Sequence, residues 1–301
     1  MATSAEIGTE STLQVADHFK PAQRGSRRPF GWTLLIAYLL LAIGGVCMVT
    51  PFFWMILTSV KPAPELVDFS FFPENPTLQN YLNVLNTSSF ERWYLNSIIV
   101  AIISTTSVVF FDTLVGYTLN KFDFPGKNII FIGMLGTLMI PTEMLIIPWF
   151  TMSVNWSWHI GYAQYWGIAF PGVITAAGIF LMRQFFDGVP NELLDAARID
   201  GMNEFGIWWR IAAPLVKPAI AALAIFNFIG NWNAYLWPLI LANSREFYTL
   251  PVGLSFFRGE STTHWEKIMT AASLASIPLL IVFLVFQRQI IRGIALTGLK
   301  G

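Results

Sequence analysis

NELLDAARIDGMNEFGIWWRIAAPLVKP, residues 191–218, is the longest polar interruption in the apolar second half of this chain. Its spacing predicts two short helices around a glycine. Pro190 and Asn191 supply a helix start, and Glu192 and Asp195 bring negative charge to the first turn, where the helix dipole favours it. Gly201 stands just past Asp200, where the first helix stops, because glycine takes the left-handed conformation without a Cβ clash. Asn203 and Glu204 open a second helix, Phe205 to Ile211, which Pro214 ends. The small residues Ala196 and Ala197 leave a shallow place on the first helix, where another protein surface can come close.

What surrounds this stretch decides its setting. Of 301 residues, 54% are hydrophobic and 12% charged, and mean hydropathy is +0.56. An ordinary soluble domain carries about a quarter charged residues, so the composition predicts an all-α, polytopic membrane protein. Twelve Trp and 26 Phe suit interfacial belts and lipid-facing surfaces. A formal charge of zero argues against nucleic acid as a partner. Cys47 is the only cysteine, and His18, His159 and His264 are scattered, so neither a disulfide nor a metal site is expected. The sequence carries no GxxxxGK[ST] phosphate loop, no Ser/His/Asp set and no HExxH, so no catalytic residue and no cofactor of its own are expected.

Residues 1–29 are polar and end in a basic cluster, Lys20, Arg24, Arg27 and Arg28, read as a mobile cytoplasmic tail. The rest of the chain, 30–301, divides into six expected spans at about 33–59, 95–119, 129–150, 165–182, 219–241 and 269–287. Each approaches or exceeds the roughly 20 apolar residues that cross a bilayer. Pro51 is expected to kink or end the straight part of the first. The polar stretch between spans four and five covers 184–218. Only five Lys and Arg (Lys61, Arg92, Arg245, Arg258, Lys267) fall on the side opposite the N-terminus; the other 13 of 18 share the side of the tail, the 191–218 loop and the C-terminus. The positive-inside rule then makes both termini and the loop cytoplasmic.

Asp195-Ala196-Ala197, then Gly201, Ile211 and Pro214, resembles the EAA loop of ABC importer permeases. Asp195 stands where that pattern usually has Glu, and Ala213 where Leu is usual before Pro214. FFPENPTLQNYLNVL (71–85), FNFIGNWNAYLWPL (226–239), TLPVGLSFF (249–257) and the ending QRQIIRGIALTGLKG (287–301) are similar to segments of carbohydrate-importer permeases of the maltose-transport type, in particular the smaller membrane subunit. The resemblance runs from about residue 35 to the end. It implies the ABC importer permease fold with a cytoplasmic coupling helix. It further implies a second, different permease, two ATP-binding ATPase subunits, an extracytoplasmic solute-binding protein and a carbohydrate substrate. The setting would be a bacterial or archaeal cytoplasmic membrane, with ATP bound by the partner. Glu192, Asp195, Ala196, Ala197, Asp200, Gly201, Ile211 and Pro214 are the residues it assigns to ATPase coupling, and the ending is assigned a contact with the ATPase pair.

Asp112 and Glu143 are the acidic side chains well inside expected spans. A carboxylate near the bilayer centre costs about 2.5–3.5 kcal/mol on insertion scales, so each should face a cavity, water or a partner helix. One reading has them line the translocation path; the other is a structural hydrogen bond to Ser or Thr. Asn231, Trp232 and Asn233 form a polar-aromatic cluster that suits sugar hydroxyls and rings, or equally helix–helix contacts. An ion-coupled secondary transporter using Asp112 and Glu143 as proton sites is the competing function, and a non-transporting membrane scaffold the third. Neither needs a docking helix of this form.

Overall fold

The computed structural model describes residues 31–66, 70–86, 89–257 and 263–298, with side chains as far as Gln287. The N-terminal tail, Asp68, Arg258 and the side chains of the C-terminal ending, including Arg288, Arg292 and Lys300, lie outside the described residues. Regular structure among the described residues is helical, without strands. The chain divides into two compact units, Met1–Phe52 and Phe53–Gly301.

Helix α1, Trp32–Ser59, continues through Pro51, so the helix does not end at that proline. Thr50 donates its hydroxyl back to the Val46 carbonyl at 2.7 Å, one turn earlier in the same helix. After it, Asn80 on α2 (Gln79–Leu85) donates to the carbonyls of Ser59 and Lys61 at 2.9 and 2.7 Å, tying the polar segment to the helix end.

The second unit is organised around α3, Phe90–Lys121. Its buried positions run almost its full length, from Phe90 to Leu119. It packs most extensively on α7 (Ala176–Asp187) and α10 (Lys217–Trp232). One apolar core joins α3, α7 and the 191–218 loop through Tyr117, Phe186, Leu194 and Trp208. A second, at the other end of α3, joins Phe90 and Trp93 to Trp232, Leu250 of α12 (Leu250–Ser255) and Ala271 of α13 (Trp265–Gly298).

Three expected spans are broken rather than straight. α4 (Lys127–Thr137) meets α5 (Thr142–Asn155) at 95°, where Pro141 lacks the amide needed to continue a helix. α6 (Gly161–Gly172, a run of 3₁₀ and α turns) meets α7 at 55°, following Pro171-Gly172 and an extended Thr175. The fifth span begins with an 86° bend between α9 (Glu204–Leu215) and α10, and α10 ends at Trp232 before α11 (Leu236–Leu241). Among the described residues, three helices are long and apolar enough to cross a membrane, or up to six if each bent pair counts as one crossing. Breaks of this kind free backbone groups, which in a bilayer must be met by protein or water.

Candidate functional site

Helix α8, Asn191–Ile199, begins directly after Pro190 and carries Glu192 in its first turn. Its end is closed by backbone bonds alone. Gly201 takes φ +80°. That conformation lets the Gly201 amide reach the Arg198 carbonyl and the Met202 amide the Ala197 carbonyl, both at 3.0 Å, the paired bonds of a Schellman cap. Asn203 then caps α9, its side chain accepting from the Gly206 amide at 2.7 Å.

α9 does not stop at Ile211 or at Pro214, as the sequence implies. It passes through a π turn at Trp208–Ala212 and finishes at Leu215. The π turn shifts the hydrogen-bond register just before Pro214, where an α-helical partner amide would be missing. Ile211 packs on the core shared with α3 and α7, and Pro214 is half-buried in the last turn.

Facing in this loop differs from expectation at one of the paired alanines. Ala196 is exposed, but Ala197 is 5% exposed and lies in the chain's own core with Leu194, Ile207 and Trp208. Ala197 and Leu194 are three apart and share the helix face that meets α9, so Ala197 is unavailable to a partner surface. The recess beside α8, about 720 Å³, is bounded instead by Phe185, Val189, Leu193, Leu215 and Pro218. The outward face of the loop carries Ile199 at 87% exposure and Trp209 at 60%, with Phe205 also exposed.

Asp195 finds a partner within the chain. Arg198 donates to Asp195 Oδ1 at 2.6 Å and to Glu204 Oε1 and Oε2 at 2.7 and 3.2 Å, bridging α8 to α9. The Glu204 bond first, and Asp195 after it, hold the Arg198 guanidinium further above its ordinary pKa, with partial burial opposing them. Glu204 also accepts from the Tyr117 hydroxyl of α3 at 3.4 Å. Glu204 is read from sequence only as a helix-opening residue; its pairing with Arg198 is not legible there, because that depends on α8 and α9 folding back across Gly201. Glu192 and Asp200 are exposed on α8 and at its end.

The path candidates separate. Asp112 is 0% exposed; its Oδ1 accepts from the Thr175 amide at 3.0 Å and its Oδ2 from the Thr175 hydroxyl at 2.6 Å. That is the structural alternative and not an open path: the carboxylate is satisfied at the start of α7. Trp232 is likewise buried, 2% exposed, its Nε1 donating to the Ala275 carbonyl at 3.1 Å and its ring stacked on Phe228. It joins helices within this chain rather than offering a face to a solute. Asn231 is half-buried and donates to the Asn227 carbonyl and side chain, both at 3.0 Å. Asn227 in turn accepts from Thr105 of α3 at 3.3 Å. Glu143 and Asn233 are both exposed, each beside a break: Glu143 in the first turn of α5, just after the bend from α4, and Asn233 between α10 and α11. No group of three or more His, Cys, Asp or Glu able to hold a metal exists among the described residues.

Residues 112–296 match the family described as binding-protein-dependent transport system inner membrane component. The chain is 36% identical over 256 residues to the arabinooligosaccharides transport system permease protein AraQ of Bacillus subtilis (strain 168), covering 83% of this chain and 90% of that one. It is 32% identical over 273 residues to the sn-glycerol-3-phosphate transport system permease protein UgpE of Escherichia coli (strain K12), covering 87% and 96%. Its fold matches a chain in the crystal structure of a bacterial ABC transporter involved in the import of the acidic polysaccharide alginate, with TM-score 0.75, 23% identity and coverage of 87% and 98%. A second alginate transporter structure, in complex with an alginate pentasaccharide-bound periplasmic protein, matches with TM-score 0.61 at 13% identity. The family match and the identity along most of both chains agree, and the chain belongs to the binding-protein-dependent transport system inner membrane components.

Proposed function

We propose that this chain is one of two different permease subunits of an ATP-driven importer for a carbohydrate or related solute, and that its α8–α9 loop is the surface on which an ATPase subunit acts. The carrying observation is the loop itself. Its inner face is fixed in the chain's core, its ends are capped, and its outer face exposes Ile199, Phe205 and Trp209. Such an apolar face on an otherwise capped, internally paired element is the mark of a protein-binding surface. The permeases of arabinooligosaccharides and sn-glycerol-3-phosphate to which the chain is similar support the solute class.

ATP is bound and hydrolysed by two partner ATPases, and an extracytoplasmic binding protein delivers the solute, a role that the alginate transporter's complex with an alginate pentasaccharide-bound periplasmic protein supports. This chain forms half of the path. Closure of the ATPase pair shifts the population between outward-open and inward-open arrangements by favouring one position of the loop. The loop and both termini face the cytoplasm of a bacterial or archaeal cell, on the side carrying the excess of Lys and Arg. The relatives to which the chain is similar are transport system permease proteins, and they lend no support to the ion-coupled alternative.

The test is to purify the tagged chain from its native host and reconstitute it in liposomes. An ATPase subunit and a second permease are expected to copurify, and solute-loaded binding protein is expected to stimulate ATP hydrolysis. Solute uptake driven by a membrane potential, without any ATPase, would overturn the reading.

A further inference from the structure

The C-terminal end of α3 presents Tyr117, Asn120 and Lys121 at i, i+3 and i+4, on one helix face. Each reaches a different part of the loop region. The Tyr117 hydroxyl donates to Glu204 of α9 at 3.4 Å. The Asn120 amide donates to the Arg183 carbonyl at 3.1 Å and to Asp187 Oδ1 at 3.4 Å, both on α7. Lys121 Nζ donates to the Val189 carbonyl at 2.7 Å and to Asn191 Oδ1 at 2.9 Å, at the turn into α8. The Tyr117 ring lies between Phe122 and Phe186 in edge contacts at 5.8 and 5.5 Å, so the face is held in place by packing.

α3 is not joined to this loop by the chain: Lys121 and Asn191 are 70 residues apart. A push on α8 travels covalently into α7 and α10, but it reaches α3 only through side chains. A charged donor on a carbonyl and a side-chain oxygen is stronger than a neutral pair, which makes Lys121 the firmest of the three links. We infer that Lys121 is a positioning residue, the principal member of a clasp through which displacement of the α8–α9 loop is transmitted to α3. The inference rests on the reading that an ATPase acts on this loop.

The experiment uses the assembled importer in liposomes and reads solute transported per ATP hydrolysed. Lys121→Met keeps most of the stem and removes the donor. It is expected to lower that ratio about fivefold, with basal ATP hydrolysis and copurification of the ATPase unchanged. Lys121→Arg restores most of the ratio. In the Lys121→Met background, Asn191→Ala adds no further loss, whereas alone it lowers the ratio, because the two residues form one link. If Lys121→Met does not accumulate, Asn191→Ala and Tyr117→Phe carry the same reading, each lowering the ratio in an intact complex. A wild-type ratio in the variants of an otherwise coupled transporter overturns the clasp alone. So does a Lys121→Arg variant as impaired as Lys121→Met, which would make the residue merely structural. Failure of the wild-type chain to retain an ATPase overturns the functional reading and the clasp together.

Discussion

A carboxylate that accepts from both the amide and the hydroxyl of Thr175 fixes where α7 begins, and the Thr175 hydroxyl accepts from the Gly178 amide at 3.0 Å to cap that helix. Three residues thus form one node between α3 and α7. A Cβ on Gly178 would lie 2.0 Å from Asp112 Oδ2, so Gly178→Ala must displace the carboxylate. Gly178→Ala is expected to destabilise by about 1–3 kcal/mol, and Asp112→Ala, which strands the Thr175 donors, by a similar ~1–3 kcal/mol. The double variant should lose less than the sum, measured as thermal unfolding in detergent; a fully additive loss would mean the node is not a unit. The alanine pair offers a second contrast at this scale. Ala197→Trp forces an indole into the core with Leu194 and Trp208 and should cost yield and thermal stability before any partner is involved. Ala196→Trp, on the exposed side, should leave unfolding within about 0.5 kcal/mol yet reduce copurification of the ATPase. Equal thermal behaviour of the two variants would contradict the observed facing. Sequence alone offered both alanines as one feature, because neighbouring residues on a helix point about 100° apart and only the packing of α8 on α9 decides which points inward.

The α8–α9 turn was the most legible element, since each of its signals is local: Pro190 before the first helix, Gly201 after it, and Asn203 at the start of the second. Gly201 has open space around it, with no atom within 4 Å of a would-be Cβ, so its requirement is for backbone conformation alone. Gly201→Val should therefore cost roughly 1–2 kcal/mol of left-handed strain and lower solute-stimulated ATPase activity. Gly201→Asn, which tolerates that conformation, should retain most of it. Equal loss in the two would point to a partner that needs the glycine surface itself. The broken helices were less legible. Pro141, Pro171 and Pro214 were visible in their apolar runs, but Pro51 and Pro278 lie inside unbroken helices. A proline removes one amide wherever it stands; whether the helix continues depends on how the surrounding structure meets the freed carbonyl. The α9 bend also needed the π turn at Trp208–Ala212, for which apolar periodicity has no signal.

At the scale of the whole molecule, hydropathy and charge asymmetry were enough to read a membrane-embedded helical chain, because both average over many residues. The solute path was not legible in the same way: two of its five candidates, Asp112 and Trp232, are buried and bonded within this chain, and burial is a property of the fold. Glu143 and Asn233 remain for a common reason. Both are polar, both are exposed on this chain, and both lie where a crossing segment breaks, the first beside the 95° bend between α4 and α5. An exposed carboxylate at membrane depth is costly unless water or a partner subunit meets it, and the two-permease importer proposed above would supply both along its central path. Asn233 also spends its side-chain amide on the Ile229 carbonyl at 2.9 Å, which leaves its oxygen for another donor. Glu143→Ala and Asn233→Ala are therefore expected to raise the solute concentration for half-maximal uptake by about tenfold, ~1.4 kcal/mol for one lost polar contact. Copurification of the second permease and of the ATPase should persist in both. Glu143→Gln, which keeps an acceptor but not the charge, distinguishes the two origins of the effect: a solute hydrogen bond is largely restored, a charge requirement is not. Unchanged uptake in Glu143→Ala and Asn233→Ala alike would move the path away from these breaks and leave both residues as contacts to the neighbouring permease.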